Sequence, residues 1–112
     1  MDLPPVINNV ECVIHDFNTG AEIAVGRCSV KLIEQTDRLR MMRNRFEGYF
    51  RAATDGDVEN LNSHLIQLMS QGAPAHTLML DYEDRTYSFT VKFEMGEGTL
   101  FAFSGRAEPK IV

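Results

Sequence analysis

Three histidines, two cysteines and a run of arginines are the side chains of this 112-residue chain with the most chemistry to offer. His15, His64 and His76 fall on what read as a strand, a helix and a loop. No pair of them has metal-ligand spacing, and no cysteine stands near a histidine in a zinc pattern. They read as satisfied or surface imidazoles rather than as a titrating switch. Asp55-Gly56-Asp57-Val58-Glu59 and Asp16-Phe17-Asn18-Thr19-Gly20 are rich in oxygen ligands. A calcium loop, however, needs glycine at its sixth position and glutamate at its twelfth, and counting from Asp55 these are Asn60 and Ile66. Gly96-Glu97-Gly98 has no following helix to present amides to a phosphate, and no serine sits in a Gly-x-Ser-x-Gly elbow. The expectation is a non-enzymatic chain with no catalytic, cofactor-binding or metal-ligating residue.

Cys12 and Cys28 lie on the two arms of an expected hairpin that turns near Asn18. Folding about that turn sets Cys12 opposite Ala24 and Cys28 opposite Asn8. The two cysteines are then about four residues out of register, roughly 13 Å along the strand. A disulfide needs Cα atoms within about 7 Å. Both therefore read as buried free thiols of a reducing compartment.

The arginines concentrate in Thr36 to Ala53, TDRLRMMRNRFEGYFRAA. Leu39, Met42, Phe46, Tyr49, Phe50 and Ala53 recur at three- and four-residue steps, which predicts an amphipathic helix. Arg38, Arg40, Arg43, Arg45 and Arg51 fall off its apolar face and form the expected contact surface. The spacing of Glu47 and Arg51 suits an i, i+4 pair on the outer side of that helix.

These residues need a scaffold, and the flanking sequence reads as β. Val10, Cys12 and Ile14 alternate, then Ala21, Ile23 and Val25. The phase slips after Gly26 to Cys28, Val30 and Leu32, as a β-bulge there would produce. A second helix is expected from an Asp57 cap, carrying Val58, Leu61, Leu65 and Leu68 as a stripe and ending at Gly72 before Pro74. Its short connection to the first predicts a helical hairpin over 36–72. Leu78, Leu80 and Tyr82, then Tyr87, Phe89, Val91 and Phe93, alternate as strands of a meander over 76–104. The last strand, Thr99 to Ser104, is apolar on both faces, so Phe101 and Phe103 are candidates for an interface. Residues 105–112, with Pro109, read as a surface arm. The predicted fold is one α+β domain of order β-β-α-α-β-β-β: an antiparallel sheet of about five strands with the helical hairpin on one face. The stretch from Ala52 to Ala73 is similar to a single ankyrin repeat and to the helical pair of NTF2-like domains. No second copy of it exists, and it assigns no family.

Charge is segregated. The net charge is −5, but residues 27 to 51 hold seven Lys/Arg against three acids, and the remainder four against thirteen. The start of the chain lacks the basic and apolar regions of a signal peptide, and no apolar run approaches the ~18 residues of a membrane span. The leading expectation is a protein-interaction or assembly subunit with a protein partner, self-associating as a homo-oligomer, in the cytoplasm or a virion, as small phage components are. Nucleic-acid or nucleoprotein binding through the arginines, including inhibition of a host nucleoprotein, comes second, because an acidic surface opposes phosphate contacts. A small-ligand-binding domain or enzyme comes third and needs a concave apolar pocket.

Overall fold

The computed structural model describes residues 4–36, 42–69, 76–94, 98–105 and 110–112; at 34–36, 42–44, 68–69 and 110 the description is of the backbone alone. Among the described residues seven strands and one helix follow in order. They are β1 (Val6–Asp16), β2 (Glu22–Thr36), β3 (Met42–Ala52), α1 (Asp55–Met69), β4 (His76–Tyr82), β5 (Arg85–Phe93), β6 (Leu100–Gly105) and the two-residue β7 (Lys110–Ile111). The sheet order β4-β1-β2-β3-β6-β5 is closed by pairing of β4 with β5, so six antiparallel strands form a barrel. Closure removes the free edges that an open sheet presents.

Of the helix expected over Thr36 to Ala53, residues 42–52 are a strand, and the helical hairpin over 36–72 does not form. Thr36 ends β2, and Met42 to Ala52 pair with Thr36 to Gly26 without a register break. The reason lies in the spacing. Steps of four residues, as in Met42, Phe46 and Phe50, suit a period of 2 as well as one of 3.6. Phe46, Phe50 and Ala52 are buried, whereas Tyr49, which the helical reading placed on the apolar face, is 56% exposed. The fifteen-residue β2 also needs a partner for the backbone groups that β1 leaves unpaired, and the eleven residues of β3 supply one along 26–36. Leu39, Arg38 and Arg40 lie outside the described residues.

Two glycines let the strands coil. A Cβ on Gly26 would lie 2.0 Å from the Arg51 carbonyl oxygen, and one on Gly48 2.0 Å from that of Ser29. Both mark corners where β2 and β3 approach too closely for a side chain. The bulge expected after Gly26 is elsewhere. Inward residues stay in phase from Ala24 through Cys28 and Val30, and the register shifts fall between Ile14 and His15 and between Ile7 and Val10. Cys12 is consequently opposite Gly26, and Cys28 opposite Val10. The cysteines are diagonal neighbours two residues apart rather than four. Both are buried and free, and hydrogen bonding to Cys28, with burial, pushes the Cys12 thiol pKa up.

Aromatic rings fill the barrel. Phe46 meets Phe89 edge to face at 4.9 Å, and Phe93 contacts Phe50, Phe101 and Phe103 at 5.7 to 6.4 Å. Such pairs each add about 0.5–1.5 kcal/mol to their burial. Helix α1 lies across the end of the barrel where β1 and β3 finish and β2 and β4 begin. It buries Leu61 and Leu65 there, with Val58 packed against the core. Its cap is Thr54, not Asp57: the Thr54 hydroxyl accepts from the Asp57 amide at 3.2 Å and donates to the Asp57 carboxylate at 2.7 Å. The other Asp57 oxygen accepts from the Val25 amide at 3.1 Å, joining the helix start to β2. Residues 110–111 pair with β5 on the edge that β6 leaves. No helix among the described residues is long and apolar enough to cross a membrane.

Candidate functional site

Alternation decides which side chains of β2 and β3 reach the outside of the barrel. With Cys28, Val30, Phe46 and Phe50 turned inward, the odd-numbered residues form the outer face. Register sets them in rows. Glu11 is opposite Arg27, Arg27 opposite Arg51, and Arg51 opposite Leu100. In the next row Ser29, Tyr49 and Ala102 align, and beyond it Lys31, Glu47 and Ser104. Tyr49 therefore stands between two small neighbours, Ser29 and Ala102, with a hollow on each side. One, about 490 Å³, is lined by Asn9, Arg27, Ser29, Tyr49, Arg51 and Leu100. The other, about 340 Å³, is bounded by Lys31, Arg45, Glu47, Tyr49, Glu94 and Ser104 among others.

The first hollow is cationic by construction. Arg27 and Arg51 are directly opposed across β2 and β3, an arrangement that disfavours the sheet because like charges meet. Arg27 is held in place: its Nε donates to the Asn9 side-chain oxygen at 2.8 Å and one terminal nitrogen to the Asn9 carbonyl. Asn9 presents that carbonyl from a left-handed conformation, φ +52°, beside the β1 register shift, and its amide donates to the Ser29 hydroxyl at 3.1 Å. Glu11 lies 3.8 Å from Arg27, while no described carboxylate pairs with Arg51. Arg45 and Glu47 form an exposed pair at 3.7 Å, worth little in water.

Of the residues selected from sequence, Arg45 and Arg51 lie on this face. Arg43 is within β3, and Arg38 and Arg40 fall in 37–41, outside the described residues. Phe101 and Phe103 point inward and are buried in the barrel, which explains the doubly apolar pattern of β6: the outward Leu100 and Ala102 share the strand with core rings. Tyr49, Arg27 and Asn9 were missed. Tyr49 was hidden by the helical period, and Arg27 becomes a neighbour of Arg51 only once β3 is a strand.

A second polar cluster has no sequence signature, since its members are 12 and 48 residues apart. His64 Nε2 lies 2.7 Å from an Asp16 carboxylate oxygen, and His64 Nδ1 lies 2.7 Å from His76 Nε2. The Asp16 carboxyl is held below the usual carboxylate range by the Thr19 and Asn18 amides and then by His64. An ionised carboxylate only accepts, so His64 donates from Nε2, and a neutral His64 then accepts at Nδ1 from His76. This leaves His76 Nδ1 as a bare lone pair, buried without a partner among the described residues. Burial, then the neighbouring His64, pushes the His76 pKa down to about 4. The chain of three ties α1 to the ends of β1 and β4. His76 has no solvent access, and among the described residues no group of three His, Cys, Asp or Glu is placed to hold a metal. No protein-family model, curated protein or solved structure matches this chain.

Proposed function

We propose that this chain is a non-enzymatic interaction module that receives an acidic segment of a protein partner on the outer face of β2, β3 and β6. The opposed Arg27 and Arg51 beside the exposed Tyr49 carry this reading. Arg and Tyr dominate interface energetics because each offers a large contact area with a polar end, and a fixed arginine loses little freedom on binding. The face is mixed, with Glu11, Glu47 and Glu94 around its cations. Mixed charge favours a protein surface over the uniform phosphate of a nucleic acid.

Fluorescence anisotropy of a labelled hexaglutamate peptide against the whole chain tests the reading. Binding at low salt should fall with added salt, and Tyr49→Ala and Arg51→Glu should each weaken it by about tenfold or more. Absence of binding at low salt overturns the reading. Single-stranded nucleic acid is the second reading, favoured by the free ring of Tyr49 as a stacking surface. A labelled oligonucleotide that binds where the peptide does not would replace the first reading with this one.

A further inference from the structure

The face has a matching surface on the same molecule. The turn between β4 and β5 is two residues long, with Tyr82 paired to Arg85, and Glu83 and Asp84 at its tip. Both tip residues have positive φ, +46° and +63°, in a hairpin turn whose favoured residues are Asn-Gly. Two exposed carboxylates thus occupy positions that the backbone alone would give to other residues. Around the barrel, three strand steps separate β4 from β3 in either direction. A two-residue turn cannot reach round to the Arg27–Arg51 pair of its own copy, so any contact between them joins two molecules.

From this charge complementarity we infer that the occupant of the outer face is a second copy of this chain, whose Glu83 and Asp84 enter the hollow lined by Arg27 and Arg51. The match is two carboxylates for two guanidiniums, with Arg27 already oriented by Asn9. Tyr49 and Leu100 both line the hollow. Donor and acceptor surfaces differ, so the contact is head to tail, and repetition gives a ring or an open chain according to the rotation between copies. Residues outside 27 to 51 carry a net −9 against +4 within, so the molecule that brings the acidic tip is drawn toward the cationic segment of its neighbour. The inference rests on the reading of this face as a protein-binding surface.

Light scattering after size exclusion, at low and high salt, tests it together with two variants of the full chain. Arg51→Glu alters the face, and Glu83→Lys with Asp84→Lys alters the tip. Wild type should form assemblies at low salt that dissociate at high salt. Each variant alone should be a monomer, and an equimolar mixture should associate again, because the intact tip of one meets the intact face of the other. Glu83→Asn with Asp84→Gly removes the charges while relaxing the turn, so a folded monomer is expected there as well; circular dichroism confirms the fold of every variant. A wild-type monomer at high concentration in low salt overturns the inference, as does a mixture that stays monomeric or an assembly unchanged in both variants. The hexaglutamate titration, run on the Glu83→Asn, Asp84→Gly chain whose face no second copy occupies, separates the failures. Peptide binding without self-association sinks the second-copy occupant alone, and absence of both sinks the face as well.

Discussion

His76 shows how one buried ring sets the acid response. Its ordinary pKa of 6.5 is lowered to about 4 in the fold, chiefly by burial. The unfolded chain therefore takes up the proton first, and the stability that neutral His76 contributes is complete above pH 6.5 and lost as pH falls toward 4. By pH 4 the loss is about 3 kcal/mol from this group. Asp16 acts in a separate window. Its lowered pKa contributes stability that persists until pH drops below the ordinary carboxylate value of 3.8. Urea unfolding between pH 7 and pH 4 should show the decline, and His76→Phe should flatten it. An unchanged slope in that variant would assign the acid response to other groups. The same ring shows what sequence could not offer: His64 and His76 are twelve residues apart, and only the docking of α1 over the starts of β2 and β4 brings them to 2.7 Å.

At the scale of elements, α1 is held by buried Leu61 and Leu65 and by polar ties at its start. Thr54 and Asp57 cap it reciprocally, and Asp57 also receives the Val25 amide. Asp57→Ala removes the two contacts of the carboxylate, to the Thr54 hydroxyl and the Val25 amide, and leaves the backbone amide on Thr54; the expected loss is about 1–2 kcal/mol, measured by thermal unfolding. Asp57→Asn retains an acceptor for Val25 and should lose less. Equal losses would show that charge, not geometry, is what the helix start requires. Strand β3 teaches the converse. Arg43, Arg45, Glu47, Tyr49 and Arg51 are a polar file at alternate positions, and Gly48 would cost a helix about 1 kcal/mol. That alternation was legible, but the steps of four among Met42, Phe46 and Phe50 satisfied both periods, and local propensity did not separate them.

For the whole molecule, barrel closure is uneven. Among the described residues β2 and β3 share eleven register pairs, whereas β5 and β6 share two, Lys92–Ser104 and Phe93–Phe103. Farther along β5 the described pairs are two with β7, and the Val112 amide donates to the Thr86 carbonyl. Local opening should begin where the fewest hydrogen bonds must break. Native-state hydrogen exchange should therefore find the amides of Glu94 and Val112 exchanging well before those of Val30 and Phe50. Equal protection across both seams would refute a weak closure. The head-to-tail contact proposed above engages the sturdier wall, β2 and β3, on one copy and the β4–β5 turn on the other.

The sequence by itself determined the strands with strict alternation, as at Tyr87, Phe89, Val91 and Phe93, whose inward set is the buried file of β5. It also determined the Asp16–Gly20 turn, where Asp16 accepts from the Asn18 and Thr19 amides and Gly20 takes φ +75°. These features depend on neighbours close in the chain. The tertiary structure alone decided that 42–52 is a strand, that β4 meets β5 to close a barrel, and that Phe101 and Phe103 are core. It alone set Arg27 against Arg51. Each of these depends on the pairing partner of β2 and on the closing of a ring. Such long-range choices are made by the backbone hydrogen bonds and apolar area of the entire fold, which no local period records.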